Sequence, residues 1–471
     1  MNKILTQRFC TLFIVFLFTT VSFSQTDNYK NVIQQFETNY NAEKYDEIFN
    51  SFSIEMKEAL PLENTKQFLI GLKTQFGKIE RKEFLKYEQE SYAAFKTTFN
   101  NAILVVNISL DNQNKINGFF IKPYEELLQA ENKTVNSLNS YPKEIAESIF
   151  SNAKEFPNNT QLSIAILQNG KVNYYGIIKE NDSIKPIINQ SKIFEIGSIT
   201  KVFTSTVLAS LVIENKIKLT DYVNTYYDFP FKENAKISFE SLANHTSGLP
   251  RLPENLDLKN ESNPYKNYSK QEFEVYLEKL LNFENEPLKA YSYSNLGTGL
   301  LGYTLGVAQK TTIQELVQKR VFEKYKMKNS FTNSQNLGVK LVKGLNTNGE
   351  IIPNWDFDVL FGGGGILSTT EDLAKFANAQ FDSKNKELAL TRKSTFVAND
   401  KMKIGLGWHI LKTENTDELF WHNGGTGGYS SSMTINLENN TSVIILSNVS
   451  AFNSKMGNID KICFDLINQM N

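Results

Sequence analysis

A serine followed three residues later by a lysine, Ser198-Ile199-Thr200-Lys201, is the first place in this chain where residue type and spacing suggest chemistry. Downstream, Val202, Phe203, Val207, Leu208, Leu211 and Val212 keep the period of an apolar helix, so the pair is predicted to share one face of its first turn. An ammonium taken out of water there loses solvation and its pKa falls. The amine can then accept the serine proton or bias another base. The Ser198 N–H, near a helix N-terminus, can also face developing negative charge. The same spacing equally suits a capping serine with a solvated lysine one turn on.

Two further stretches offer partners. In Tyr291-Ser292-Tyr293-Ser294-Asn295, a tyrosine beside an ammonium is expected to ionise below its usual ~10, and the phenolate would be a competent base for Ser198. Asn295 carries an amide donor and acceptor suited to orienting Lys201 and a substrate carbonyl. The stretch also reads simply as a turn capping the helix that starts near Leu296. In Trp421-His422-Asn423-Gly424-Gly425-Thr426-Gly427-Gly428-Tyr429, four glycines at a strand edge let the backbone approach a ligand closely, and the Gly425 N–H is the candidate second oxyanion donor. A glycine-rich turn with no ligand is the other reading. Neither this stretch nor Gly362 to Gly365 is a phosphate loop, because neither continues into Lys and Ser or Thr.

Taken together, Ser198-x-x-Lys201, Tyr293-x-Asn295 and His422-x-Gly424, with the phrases Asn244 to Pro250 and Gly363 to Thr369 in the same order, resemble the serine β-lactamase and penicillin-binding-protein superfamily. The resemblance is to its class C, D-alanyl-D-alanine carboxypeptidase and esterase branch, and it covers Ile145 to Met470. It implies acyl transfer through an acyl-enzyme on Ser198, with Lys201 and Tyr293 moving the proton and the N–H groups of Ser198 and Gly425 holding the oxyanion. Implied substrates are esters, amides, D-amino-acid peptides or β-lactams, cell-wall fragments among them, with no cofactor and no metal. One departure matters. His422 stands where the family usually has lysine, and a histidine of pKa ~6.5 is mostly neutral at pH 7. That favours uncharged substrates, and turnover of a carboxylate-bearing one is expected to follow the titration of His422. His245 and His409 read as structural.

Rival readings fit less well. An α/β-hydrolase needs a G-x-S-x-G elbow, which Gly197-Ser198-Ile199-Thr200 lacks, and no H-E-x-x-H or paired-cysteine motif serves a metal hydrolase. A non-turnover sensor of cell-wall fragments would keep the same residues.

The elements that must position these residues follow from length and pattern. A chain of 471 residues suggests two or more cores, and 41% hydrophobic content with 34 Phe and 20 Tyr supplies them. A formal charge of −1 gives no field to recruit nucleic acid. Lys3 and Arg8, the apolar run Phe9 to Phe18 and small residues at Ser22 and Ser24 read as an export signal over 1–24, leaving no stable membrane span after cleavage and a periplasmic or secreted protein. Cys10 lies inside that signal, and Cys463, on an apolar helical face, reads as a buried small hydrophobe.

Residues 25–124 are predicted to form a small α+β accessory domain: two short helices between Tyr29 and Leu60, a third from Thr65 to Phe76, then four antiparallel strands. This order is similar to nuclear-transport-factor-like and cystatin-like rolls, and implies a spacer or a docking surface for an unidentified partner. Residues 125–144 read as a polar linker. The hydrolase-like domain spans 145–471, again α+β. Hairpins at Asn169-Gly170 and Asn439-Asn440 are expected to join in one antiparallel sheet, with a helical subdomain inserted between them.

Overall fold

The computed structural model describes residues 19–88, 92–124, 134–257, 263–413 and 418–470. Residues 1–18 of the predicted export signal therefore lie outside the described residues, and 19–24 fall in the first helix. Among them, no helix is long and apolar enough to cross a membrane. Two compact units, 1–129 and 130–471, make up the chain.

In the first unit the strands Ile79–Glu88, Tyr92–Phe99, Ile103–Leu110 and Ile116–Pro123 form one antiparallel sheet in sequence order. Asp111 closes the predicted hairpin, its carboxylate accepting the Gln113 and Lys115 N–H groups at 2.8 and 2.9 Å. Between Tyr29 and Leu60 the structure has three helices where two were expected, Thr19–Asn41, Tyr45–Asn50 and Ile54–Ala59. The third is started by Ser53, whose side chain accepts from Met56 N at 3.2 Å. Helix Leu62–Phe76 completes the layer. Ile33, Phe36, Tyr40, Ile48 and Leu69 pack on Phe95, Phe99, Val106 and Ile108.

The second unit is built on a ten-stranded sheet. Its centre pairs the two ends of the unit: Thr441–Ser447 lies antiparallel to Gln161–Gln168, from Thr441 opposite Gln168 to Ser447 opposite Leu162. Both predicted hairpins are present, Gln161–Gln168 with Lys171–Glu180 and Ser430–Asn436 with Thr441–Ser447. Asn169 and Gly170 turn the first with φ of 51° and 80°, as a tight two-residue loop requires. Period-2 alternation splits the sheet cleanly. Leu162, Ile164, Ile166, Val443 and Ile445 face helices Lys143–Ala153 and Gly457–Gln469, while Ala165, Leu167, Ile444 and Leu446 face the inserted helical layer.

The predicted linker is corrected in part. Residues 125–133 lie outside the described set, but Val135–Asn136 add a short parallel strand beside Ser183–Ile184, and Leu138 is buried in the core beneath. Polar composition conceals this, because a two-residue strand bonds through backbone and needs one apolar anchor.

Cys463 is a free thiol buried between helix and sheet, and burial pushes its pKa up to about 12, which leaves no reactive thiolate at neutral pH. The helix Thr200–Ile213 is buried along almost its whole length, and Phe203 stacks on Phe376 with ring centroids 4.5 Å apart. Phe203→Ala should destabilise the second unit by about 3–5 kcal/mol through lost contact and the cavity left behind, read as a lowered denaturant midpoint.

Candidate active site

Ser198 sits in a single 3-10 turn, Gly197–Ile199, and the α-helix begins directly after it at Thr200. Ser198 therefore lies on the threshold of the helix and Lys201 in its first turn. That turn is tightly held. Gly197 has φ +50°, and a Cβ there would stand 2.5 Å from Gly425 N, so only glycine lets the serine turn approach the neighbouring strand.

The strand is Glu418–Gly425. Its neighbour His409–Lys412 pairs only as far as His409 opposite Trp421, so His422 to Gly425 present an open edge on that side. The serine turn packs over the face of this strand and its bonded neighbour: a Cβ on Gly424 would stand 2.1 Å from Ile196 O and 2.9 Å from Ser198 N, and Ser431 Oγ donates to Ile196 O at 2.8 Å. The predicted close approach of the glycine-rich strand to Ser198 is thus present in the geometry, with the serine turn lying against Gly424 and Gly425.

Lys201 is fully buried. Its Nζ lies 2.6 Å from Gly363 O, 2.9 Å from Asn295 Oδ1 and 3.1 Å from Ser198 Oγ. Gly363 is brought there by two threonines flanking the lysine: Thr204 Oγ1 donates to Gly362 O at 2.9 Å, and Thr200 Oγ1 accepts from Ile366 N at 3.2 Å. Burial, reinforced by the Arg251 charge, holds the Lys201 pKa well below its ordinary value.

Tyr293 and Asn295 arrive on one cap. Ser294 Oγ accepts from Gly297 N at 2.8 Å to start helix Asn295–Gln309, and donates to Pro250 O at 2.6 Å. Capping and site geometry are therefore one feature, not competing readings. The Tyr293 ring centroid is 4.9 Å from Lys201 Nζ and 5.2 Å from the Arg251 guanidinium. One expectation is corrected here: the Tyr293 pKa is raised, not lowered. Burial outweighs the opposing Ser198 hydroxyl and Arg251 charge, and Lys201, itself disposed to be neutral, supplies little to stabilise a phenolate.

Two of the chain's three histidines stand beside this phenol, and the third, His409, packs behind His422. His245 and Tyr293 have ring centroids 4.6 Å apart, His422 and Tyr293 6.3 Å, and His409 and His422 5.1 Å. His422 Nδ1 pairs with Asn423 O at 2.6 Å, which requires the proton on Nδ1. Burial keeps its pKa well below 6.5, with His409 and Lys201 adding to the effect. The expected titration of His422 near neutrality is accordingly corrected: in this fold it stays uncharged. His245 Nδ1 accepts from Ser294 N at 3.2 Å and is held neutral in the same way. His409 bonds Tyr291 Oη through Nε2 at 2.8 Å, and burial lowers it to about 4.

Residue reading alone missed several neighbours. Asn295 Nδ2 reaches Tyr265 Oη at 3.4 Å, and Tyr265 stacks on Phe357 at 4.6 Å with Trp355 on its edge at 5.3 Å, an aromatic wall beside the site. Arg251 directly follows the phrase Asn244 to Pro250, and Glu195 lies inside the phrase that carries the serine. Both adjacencies were visible, but neither side chain's direction was.

The Beta-lactamase family model matches residues 152–460, more than half of the chain. The chain belongs to the beta-lactamase family. A second family model, a protein of unknown function (DUF3887), matches residues 34–119 in the first unit. Among curated relatives, a "Beta-lactamase" of Pseudomonas fluorescens is 26% identical over 260 residues, covering 53% of this chain and 69% of that protein. "Beta-lactamase-like protein 4" of Dictyostelium discoideum is 28% identical over 298 residues, 55% and 51% respectively. "Protein flp" of Staphylococcus aureus (strain MW2) is 23% identical over 312 residues, 61% and 59%. The chain thus spans roughly half to two thirds of the length of these relatives. In fold, the second unit is similar to a crystal structure of a Beta-Lactamase/D-Alanine Carboxypeptidase from Pseudomonas syringae. The TM-score is 0.57 at 21% identity, covering 68% of this chain and 97% of that one.

Glu195, three residues before Ser198 in this beta-lactamase fold, is buried. One oxygen accepts from Asn354 Nδ2 at 2.7 Å and Trp355 N at 2.9 Å, while Oε2, with Thr426 nearby, makes no geometrically good hydrogen bond among the described residues. Burial raises its pKa to about 7 against the opposing Thr426, Asn354 and Trp355 groups. Because the folded value exceeds the unfolded ~4.5, the native state binds the extra proton, and stability falls as pH rises between those two values. Glu195→Gln keeps the acceptor and cannot ionise. Relative to wild type it should gain on the order of 3 kcal/mol between pH 4.5 and pH 8, measured by denaturant unfolding at both. A difference that does not change with pH would show that the carboxylate is not held protonated.

Proposed function

We propose that the second unit is a serine hydrolase working through an acyl-enzyme on an ester, amide, D-amino-acid peptide or β-lactam-type substrate. One observation carries the reading: a fully buried amine touching Ser198 Oγ, Asn295 Oδ1 and Gly363 O. Carbonyl oxygens can only accept, so Gly363 and Asn295 take two N–H bonds. A neutral amine then has its lone pair left for the serine hydroxyl.

In this reading Ser198 Oγ attacks the substrate carbonyl while its proton passes to Lys201 Nζ. The N–H groups of Ser198 and Gly425 hold the oxyanion. Tyr293, protonated because it is buried, gives its proton to the leaving group and is replenished from the Lys201 ammonium. Water then attacks the acyl-enzyme and the proton returns by the same route. Asn295 fixes the amine and faces the substrate, and His422 and Gly424 shape the strand edge through neutral contacts. Residues 1–24 support export to the periplasm or beyond as part of the same proposal.

A fluorophosphonate or fluorescent penicillin probe should label wild type and not Ser198→Ala. Lys201→Met and Tyr293→Phe should each lower kcat/KM on a p-nitrophenyl ester by roughly 10²- to 10⁴-fold. Labelling that survives Ser198→Ala would remove the nucleophile from the account. Activity on an uncharged ester should reach its plateau well below the ordinary lysine value of ~10.4, with a midpoint that His422→Asn leaves in place. A midpoint that moved with His422 would return the titration to the histidine.

A further inference from the structure

Arg251, beside Tyr293, is an exposed cation. Its place is set by backbone, since the Asn295 and Leu296 N–H groups donate to Arg251 O at 3.0 and 3.1 Å. The residue is therefore carried on the same helix start as Asn295. Its guanidinium stands 5.2 Å from the Tyr293 ring centroid, and among the described residues no ion pair or side-chain hydrogen bond engages it. Attraction to a ring face uses the charge of a guanidinium and leaves its N–H fork available.

Among the described residues placed at the site above, the other basic groups are buried. Lys201 is fully buried and its three hydrogen bonds go to Ser198, Asn295 and Gly363. His245, His409 and His422 are buried too. An anionic group approaching Ser198 on its Tyr293 side would meet the Arg251 charge.

We propose that Arg251 is the substrate-selecting residue of this site, binding a carboxylate on the part of the acyl donor that lies against Tyr293. The proposal rests on the hydrolase reading above. It supplies from the loop after Pro250 the charge that His422 does not supply from the strand. A planar fork matches a carboxylate with two parallel hydrogen bonds. A phosphate dianion calls for a second cation, and the other basic groups described at the site are buried, so a monoanion is the better match.

The test uses two chromogenic esters that differ only in a carboxylate or its methyl ester, with wild type, Arg251→Gln and Arg251→Lys. In Arg251→Gln the ratio of kcat/KM for the carboxylate over the neutral ester should fall about tenfold, mostly through KM, with partial recovery in Arg251→Lys. A ratio that changes less than threefold overturns the assignment. So does an equal fall on both esters, which would mean that Arg251 acts through Lys201 and not on substrate. Calorimetric titration of the same two esters into Ser198→Ala and Ser198→Ala/Arg251→Gln reads binding without turnover. There the carboxylate ester should weaken about tenfold relative to its neutral counterpart, and an unchanged ratio refutes the anchor. Loss of the hydrolase reading would show separately, as turnover that persists in Ser198→Ala.

Discussion

An amine without water is the constraint around which the second unit is arranged. Removing a charged ammonium from solvent costs several kcal/mol even after relaxation, and Lys201 is buried completely. The fold answers with two obligate acceptors, Gly363 O and Asn295 Oδ1, drawn from segments far apart in sequence. Each needs its own support. Thr200 and Thr204 hold the glycine-rich segment against the helix, and the Ser294 cap, tied to Pro250, aims Asn295. Move any of these and the amine regains room for water, its charge, and its ordinary basicity.

The same site tolerates little change in volume. The serine turn lies against the strand Glu418–Gly425, and it can do so because Gly197 and Gly424 bring no side chain to the contact. Ser431, on the neighbouring strand, fixes the turn there by donating to Ile196 O. Two uncharged imidazoles, His245 and His422, then lie beside the phenol, with His409 behind His422. They set a dry, weakly polar environment in which one neighbouring charge is felt strongly.

Much of this was legible in the chain. Both hairpins, the joining of the unit's ends and the inserted helices follow from alternation, Asn-Gly turn chemistry and 3.6-residue spacing, and the structure has them. Ser198, Lys201, Tyr293 and Asn295 are brought together, and Gly424 and Gly425 lie against the serine turn. What was not legible is environment. Reference pKa values suggested an acidic Tyr293 and a titrating His422, because sequence gives residue type and not depth. Burial reverses the first and abolishes the second. Arg251 and Glu195 were adjacent to recognised phrases, but the turns that aim them depend on partners more than forty residues away. The strand at Val135 escaped for a simpler reason: a polar pair bonding through backbone looks like linker until its neighbour is known.

The central ladder joining Thr441–Ser447 to Gln161–Gln168 has a consequence for biosynthesis. Pairing across so many intervening residues is entropically slow, and no ribosome-bound intermediate ending before residue 441 can possess it. The strand bearing Gly425 also follows the helical layer in sequence, so that layer's apolar face stays uncovered until the strands from Glu418 onward emerge. Until then the Ser198 turn lacks the strand it packs against, and the uncovered apolar layer is the surface most open to aggregation.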